Sequence, residues 1–251
     1  MTLFDQNERD QTVTDEAQIK QLGSRAVLCA ASDAAIVTET LFDPEALAAG
    51  QLLDGLARGR GEAYFIRLGG QHLVLRHYRR GGLVGRFFRD GYLFRSLEAS
   101  RSWREWRLLA ELRRRGLPVP RPVAAAVQRA GLYYQADLVT ELIPETQTLA
   151  ELLKETRLTP DGWQALGKCL RDFHRAGVFH ADLNASNILI GPGQQIFLID
   201  FDRGAVRATG RWQQRTLRRL KRSLRKFHQR EKTFHFSELD WDRLREGYAQ
   251  P

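Results

Sequence analysis

Short strand-like runs of apolar residues dominate the chain up to about residue 142. AYFIRL and HLVLRHY lie on either side of Gly69 and Gly70, and this arrangement predicts a hairpin. VAAAV and LYYQADLVTEL predict two more strands, joined near Gly131. The first part of the chain is therefore expected to build mainly a sheet.

One longer helix is predicted within this strand-rich part, over residues 102–115. It is expected to end at Gly116, and Leu108, Leu109 and Leu112 would lie on its buried face. Ser102-x-x-Glu105 has the pattern of a capping box, which gives Glu105 a purely structural explanation.

After residue 143 the apolar positions follow a helical period. Thr148-x-x-Glu151 is a capping box in front of two leucines, and Thr159-Pro160 opens another helix. Apolar residues recur at helical spacing after that start, at Trp163, Leu166, Leu170 and Phe173. The chain is thus predicted to be strand-rich first and helix-rich second.

The composition fits a folded protein with unusual charge. With 251 residues and 43% apolar side chains, the chain can build a sizeable core as one large or two small domains. It has no apolar run long enough to span a bilayer, and MTLFDQNERDQ does not look like a secretory signal. Cys29 and Cys169 are expected to be free thiols in a reducing compartment. The net charge of +9 indicates an anionic partner.

Much of this charge lies in one basic segment, residues 203–232, which contains twelve Lys and Arg residues and a single acid, Glu231. Within it, four apolar residues recur on one helical face: Leu217, Leu220, Leu224 and Phe227. A buried core contact is the favoured interpretation of that face, and a membrane contact is the alternative. The segment holds too few aromatic residues for a nucleic-acid stacking platform, and no nucleic-acid partner is expected.

The strongest chemical signal is the segment FHADLNASNILIGPGQQIFLIDFDR. His180, Asp182 and Asn187 give the pattern H-x-D-x-x-x-x-N, and Asp200 follows at the end of the apolar run IFLI. This is the arrangement of a protein-kinase-like catalytic loop and metal-binding aspartate. Asp182 and His180 are the candidate catalytic residues, with Asp182 orienting the acceptor hydroxyl. Asn187 and Asp200 are the candidate Mg²⁺ ligands, and the Gly/Pro-rich turn between them predicts a hairpin that brings them together.

A nucleotide site needs further parts, and candidates lie upstream. Gly59 and Gly61 precede the first hairpin and would let backbone N–H groups approach ATP phosphates. Arg76, on the second hairpin strand, stands where protein kinases place a phosphate-binding lysine. Glu105 is the preferred carboxylate to position Arg76, with Glu98 and Glu111 as competitors.

The adenine edge is expected to meet backbone groups between Glu141 and Ile143, where the strand-rich part gives way to the helical part. The predicted fold class is α+β, a two-lobed protein-kinase-like fold with a strand-rich N-lobe and a helix-rich C-lobe. We expect a single domain over 1–251, with the N-lobe at about 25–142 and the C-lobe at about 143–251. ATP and Mg²⁺ are the expected cofactors.

With these residues assembled, the chain resembles the 3-deoxy-D-manno-octulosonic acid (Kdo) kinase family of Gram-negative lipopolysaccharide biosynthesis. The resemblance spans roughly residues 55–245. It rests on GRGEAYFI, LVLRHYRRGGLVGR, YLF, RSWREWRLLAELRRRGLPVPRPVAA, FHADLNASNILI and IFLIDFDRG. Arg76 in place of lysine, and the triplet Asp200-Phe201-Asp202 in place of DFG, look like features of that family and argue against an ordinary protein kinase.

The resemblance implies a function and a location. ATP would phosphorylate the 4-hydroxyl of Kdo on Kdo-lipid IVA, with Asp182 in the catalytic position. The enzyme would act as a peripheral protein at the cytoplasmic side of the inner membrane. The basic segment would then dock on the anionic membrane surface and would not serve the chemistry.

Three alternatives stay open at this point. A heptose kinase of the lipopolysaccharide core would share the catalytic residues and differ in its acceptor pocket. An atypical RIO-like protein kinase is disfavoured by Arg76 and by the DFD triplet. A nucleic-acid-binding protein on an inactive kinase scaffold would explain the pI of about 10.0 but not the intact Asp182, Asn187 and Asp200.

Overall fold

The computed structural model describes residues 16–57, 63–78 and 92–250. Its strand-rich part forms one antiparallel eight-stranded sheet, in the order β1-β2-β7-β8-β5-β4-β3, with β6 also pairing with β8. The strands of this sheet are β1 (Ala17–Leu22), β2 (Arg25–Ala30), β3 (Leu53–Ala57), β4 (Ala63–Leu68), β5 (Gln71–His77), β6 (Tyr92–Leu93), β7 (Pro122–Ala130) and β8 (Tyr133–Glu141).

The two pairs of joined strands predicted for this sheet are confirmed. β4 and β5 pair with Ala63 opposite Arg76, and the turn between them uses Gly69 and Gly70 at φ +60° and +77°. Glycine adopts this left-handed conformation without steric cost. β7 and β8 are joined at Gly131, which also has a positive φ. The register of β5 against β8 sets Arg76 opposite Leu138, well inside the sheet.

Helix α2 (Arg101–Arg114) packs against β7 and β8 and ends before Gly116, as predicted. Its buried face includes Trp103, Leu109 and Leu112. The capping box predicted at Ser102 is wrong, because Ser102 lies inside the helix. Its hydroxyl is buried and donates to the carbonyl oxygen of Ala126 at 3.0 Å. Because the Ser102 hydroxyl binds β7, it does not cap the start of α2.

The helices that follow residue 143 confirm the predicted change of pattern. Thr148 forms the predicted capping box with Glu151, and Thr159 accepts a hydrogen bond from the N–H of Gly162. The remaining helices are α1 (Pro44–Ala49), α3 (Leu149–Glu155), α4 (Pro160–Arg175), α5 (Trp212–Arg230) and α6 (Glu238–Ala249). Short strands connect them: β9 (Gln147–Thr148), β10 (Val178–Phe179), β11 (Ile188–Ile190), β12 (Ile196–Leu198) and β13 (Ala205–Val206).

Two glycines allow α4 and α6 to approach closely. A Cβ built on Gly167 would lie 2.1 Å from the carbonyl oxygen of Leu244, and one on Gly247 would lie 2.0 Å from that of Gln164. Both distances are far below contact distance, so only glycine fits at this crossing. The contact holds α4 in place, and α4 leads through β10 into the loop that carries His180 and Asp182.

No helix in the part of the chain that the structure describes is both long and apolar enough to cross a membrane. The overall class is a mixed α/β protein, with an antiparallel sheet followed by helices.

Candidate active site

His180 anchors the loop between β10 and β11 through both of its ring nitrogens. Nε2 donates to the carbonyl oxygen of Ile199 at 2.9 Å, and Nδ1 accepts from the backbone N–H of Asp182 at 3.2 Å. Both bonds form together only when the ring is neutral and the proton is on Nε2. Burial lowers the pKa of His180, which favours this neutral form. His180 therefore ties the Asp182 backbone to the strand end that carries Asp200.

The predicted hairpin between Asn187 and Asp200 is confirmed. β11 and β12 pair with Ile188 opposite Leu198, and the N–H of Ile199 donates to the carbonyl oxygen of Asn187 at 3.1 Å. Asp200 then turns away with φ +63°, a conformation that is rare for residues other than glycine and often marks functional sites. As a result, Asp182, Asn187 and Asp200 all line one cleft.

Two side-chain oxygens in this cleft suit a divalent cation. The Asn187 amide donates from Nδ2 to the carbonyl oxygen of Asp182 at 3.0 Å, and Asp200 accepts from Arg76 at its Oδ1. Among the described residues, neither Asn187 Oδ1 nor Asp200 Oδ2 has a hydrogen-bond donor. The part of the chain that the structure describes contains no cluster of three or more His, Cys, Asp or Glu side chains that could hold a metal. An aspartate and an asparagine fit Mg²⁺ only together with water and phosphate oxygens, which is how Mg²⁺ binds with nucleotides.

Arg76 and Glu105 form an ion pair, with Arg76 Nη2 2.5 Å from Glu105 Oε1. Arg76 also donates from Nη1 to Asp200 at 2.6 Å, so it links β5 to α2 and to the DFD triplet. The two competing carboxylates are engaged elsewhere on the surface: Glu98 pairs with Arg107, and Glu111 pairs with Arg114 and Arg115.

Glu105 is almost fully buried and accepts three hydrogen bonds. Its donors are Arg76, the hydroxyl of Tyr78 and the N–H of Phe201, the last at 3.0 Å. Burial raises the pKa of Glu105, and the neighbouring Arg76 opposes that shift. Burial also disfavours a charged Arg76, but the neighbouring Glu105, Tyr78 and Asp200 together more than compensate and raise its pKa. Sequence reasoning missed Tyr78 because a strand tyrosine carries no motif.

The second aspartate of the DFD triplet has a partner that sequence reasoning also missed. Asp202 accepts from Arg101 Nε at 2.7 Å, at the first residue of α2. The Arg101 guanidinium in turn lies 4.6 Å from the centre of the Tyr92 ring. The DFD segment is therefore fastened to α2 twice, through Glu105 with Phe201 and through Arg101 with Asp202.

The cleft has a volume of about 1460 Å³ and runs from the sheet to α5. Glu141 and Ile143 line it where the sheet meets the helical part. The Ile143 N–H donates to no acceptor in the described ranges, so it is available to a ligand. The Glu141 side chain is paired through Oε1 with Arg121 at 2.7 Å. Gly59 and Gly61 lie outside the described residues, and their placement stays a prediction.

Helix α5 brings the basic segment to the cleft, which corrects the expectation that the segment lies apart from the chemistry. Arg219 Nη1 donates to Asp182 Oδ1 at 2.8 Å. The predicted apolar face is a core contact: Leu217, Leu220 and Leu224 are buried, and Phe227 packs against them. Because these residues fix the rotation of the helix, its opposite face presents cations to the cleft.

The cations of α5 differ in their surroundings. Lys221 and Arg225 pair with Glu238 of α6, at 2.7 Å in each case, and do not form a free basic surface. The residues that we call the cleft-facing basic stripe are Arg219, Arg222, Lys226 and Arg230. Within the ranges that the structure describes, the last three members of this stripe have no acidic partner.

The chain is similar in sequence to a known family and to several named enzymes. The profile of the "Lipopolysaccharide kinase (Kdo/WaaP) family" matches residues 50–248. A 3-deoxy-D-manno-octulosonic acid kinase of Vibrio vulnificus (strain YJ016) is 43% identical over 208 residues, which cover 83% of this chain and 88% of the relative. The enzyme of the same name from Mannheimia succiniciproducens is 44% identical over 201 residues, covering 77% and 83%. That from Haemophilus influenzae (strain PittEE) is 41% identical over 204 residues, covering 78% and 84%. The chain therefore belongs to the lipopolysaccharide kinase (Kdo/WaaP) family.

Proposed function

We propose that this protein is a Kdo kinase that transfers the γ-phosphoryl group of ATP to the 4-hydroxyl of Kdo in Kdo-lipid IVA. The observation that carries the proposal is the convergence of Asp182, Asn187, Asp200 and the Arg76–Glu105 pair on one cleft. The names of the relatives support Kdo as the sugar that is phosphorylated. The reaction is a phosphotransfer to a sugar hydroxyl during lipopolysaccharide core biosynthesis.

The proposed architecture is one kinase-like domain over residues 1–251 with two lobes. The sheet and α2 would form the N-lobe, which would begin at β1 (Ala17–Leu22) instead of the predicted residue 25 and end at about residue 142. The helices after residue 143 would form the C-lobe. The position of the cleft between the sheet and α5 supports this division. Backbone groups between Glu141 and Ile143 would then hold the adenine ring, and Gly59 and Gly61 would cover the phosphates.

The donor half of the site is proposed to act by electrostatics and positioning. Arg76 would donate to the nucleotide phosphates, held in place by the buried Glu105 and by Tyr78. Asn187 and Asp200 would hold Mg²⁺ through their free oxygens. When bound, Mg²⁺ would neutralise charge on the phosphates.

The acceptor half depends on Asp182. Its carboxylate would accept a hydrogen bond from the sugar hydroxyl and take its proton as the new O–P bond forms and the bond to ADP breaks. His180 would act through the backbone, because both of its nitrogens are already engaged. It would keep Asp182 and Asp200 at a fixed separation.

The proposed location is the cytoplasmic face of the inner membrane, with peripheral attachment through anionic lipids. The net charge of +9 supports this attachment. Binding to phosphatidylglycerol-rich vesicles in a sedimentation assay should exceed binding to neutral vesicles. It should fall as salt rises, because charges are screened beyond about 8 Å at physiological ionic strength. Binding that is equal on both vesicle types and insensitive to salt would contradict the electrostatic attachment.

The function is tested by ADP release with a panel of acceptors. Purified protein is incubated with ATP, Mg²⁺ and one of the following: Kdo-lipid IVA, lipid IVA lacking Kdo, heptosylated core, casein or RNA. We expect release with Kdo-lipid IVA, loss of that release with EDTA, and a product phosphorylated on Kdo by mass spectrometry. Release only with heptosylated core would identify a heptose kinase, and release only with casein would identify a protein kinase.

A further inference from the structure

The cleft continues past the proposed phosphotransfer centre toward a strongly basic wall. Its volume of about 1460 Å³ exceeds the roughly 300–1,000 Å³ that is usual for a single small-molecule site. The cleft-facing basic stripe of α5 is part of the lining of this cleft. Such a wall suits an acceptor that carries negative charge of its own, in addition to the phosphates of the nucleotide.

Arg219 is the member of this stripe that contacts the proposed base. It donates to Asp182 Oδ1 from a single nitrogen, and both side chains are about half exposed. A guanidinium carries five N–H donors, so most of those on Arg219 stay available while Asp182 is held. An anion bound to them would sit directly beside the carboxylate that receives the acceptor hydroxyl.

Two sets of contacts made by α5 place Arg219 beside Asp182. The neighbours Leu217 and Leu220 are buried, and this burial fixes the rotation of α5 around its axis. Ser223, one turn further along, accepts from the N–H of Ala185 in the catalytic loop at 3.3 Å. The helix is therefore joined to that loop at Asp182 and again at Ala185, which makes Arg219 a built part of the site.

We propose that Arg219 is a specificity residue that binds the carboxylate of a sugar-acid acceptor. The inference rests on the proposed function and names the group that distinguishes this acceptor from a neutral sugar. In an octulosonic acid only C4, C3 and C2 separate the 4-hydroxyl from the C1 carboxylate. A sugar whose hydroxyl meets Asp182 therefore has its carboxylate within reach of the adjacent guanidinium, and arginine binds carboxylates in a fixed two-pronged geometry.

The test uses a soluble Kdo glycoside, without lipid or phosphate, and the same glycoside with its C1 acid converted to the amide. With the parent protein, kcat/KM should fall roughly 10- to 100-fold from acid to amide, the range expected for a charge-assisted hydrogen bond. Arg219→Gln should lose a similar factor on the acid and show little further loss on the amide. The ratio of kcat/KM on the acid to kcat/KM on the amide should be intermediate for Arg219→Lys, between that of the parent and that of Arg219→Gln.

Arg218→Gln is the matched control. Arg218 is the preceding residue of the same helix, is exposed and does not line the cleft, so its variant should discriminate acid from amide as the parent does. Calorimetry should give the same ATP affinity for the parent and for Arg219→Gln. Because Arg219 is about half exposed, its replacement should leave the thermal unfolding temperature within a few degrees of the parent.

The outcomes that overturn the inference differ from those that overturn the function. If the parent phosphorylates neither glycoside nor Kdo-lipid IVA, the proposed function fails. If the parent is active but uses acid and amide equally, only the inference fails. It also fails if Arg219→Gln slows both glycosides by the same factor, which would indicate a role in positioning Asp182 alone. Weakened ATP binding with intact discrimination would assign Arg219 to the nucleotide, and a loss confined to the lipid-linked acceptor would assign it to a lipid phosphate.

Discussion

At the scale of single residues, the site combines exposed reactive groups with buried supports. Asp182 is about half exposed, as a group that must meet an incoming hydroxyl has to be. Glu105 is buried with three donors, and a buried carboxylate with that many partners is held in one orientation. The exposed Asp182 would do the proposed chemistry, and the buried Glu105 holds the Arg76 guanidinium in place.

The role of Asp182 is tested by Asp182→Asn. The amide keeps the shape and can still accept a hydrogen bond, but it cannot take a proton. We expect kcat to fall by roughly 10²–10⁴, with ATP affinity changed by no more than a few-fold. Asp172→Asn is the control, because Asp172 is exposed and lies outside the cleft. A rate near that of the parent would remove Asp182 from the catalytic step.

The charge of Arg76 and the geometry of its guanidinium can be tested separately. Arg76→Lys keeps the charge but cannot bridge Asp200 and Glu105 as a fork does, so we expect a higher KM for ATP and partial activity. Arg76→Ala leaves Glu105 buried without its cation and should cost about 3–5 kcal/mol in the free energy of unfolding.

Arg67→Ala is the comparison, measured in the same kinetic and urea-unfolding assays. Arg67 lies on the neighbouring strand β4, and its ion pair with Asp54 is exposed and should contribute little to stability. If Arg76→Lys had unchanged kinetics for ATP, Arg76 would lie outside the nucleotide site.

At the scale of elements, the close crossing of α4 and α6 supports the loop that carries His180 and Asp182. Gly167→Ala would push a methyl group into the backbone of α6 and should destabilise the protein by about 1–3 kcal/mol. Activity at temperatures below unfolding should fall as well, because α4 leads into that loop.

Urea unfolding measures the effect, and Lys168→Ala is the control. Lys168 is the next residue on α4 and is exposed, so its change should stay within about 0.5 kcal/mol. If the two variants had equal free energies of unfolding, α6 would have to move away from the new methyl group at little cost in free energy.

At the scale of the whole molecule, His174 couples stability to pH. It lies at the end of α4, and its Nδ1 shares a hydrogen bond with the hydroxyl of Tyr248 in α6 at 2.8 Å. Its ring also packs edge-on against the Trp212 ring of α5. Burial lowers its pKa to about 4. The folded protein therefore keeps this ring neutral at pH values where the unfolded chain, with a pKa of about 6.5, binds a proton. Its contribution is complete above pH 6.5 and is lost as the pH falls toward 4.

We expect the free energy of unfolding to drop by about 2 kcal/mol from this residue alone between pH 7 and pH 5. Urea unfolding at several pH values measures the drop, and His174→Gln should reduce it even though the variant is less stable overall. Part of this pH dependence of the free energy of unfolding should persist in His174→Gln, because burial also lowers the pKa of His180. A slope identical in parent and variant would show that His174 does not titrate in this range.

The sequence determined the features that depend on neighbouring residues. The glycine turns, the capping box at Thr148 and the hairpin between Asn187 and Asp200 follow from short-range backbone preferences, and each was predicted. The H-x-D-x-x-x-x-N spacing also indicated the phosphotransfer chemistry, since a single loop and hairpin carry it.

Tertiary structure decided the contacts between segments that are distant along the chain. Arg219 reaches Asp182 across 37 residues, and Arg101 reaches Asp202 across 101. Ser102, which has the local pattern of a cap, instead anchors α2 to β7. These contacts depend on how the helices rotate and cross as their apolar faces are buried. That burial is a property of the whole fold. A local pattern of charges could therefore place the basic segment on a helix, but it could not show that this helix borders the candidate active site.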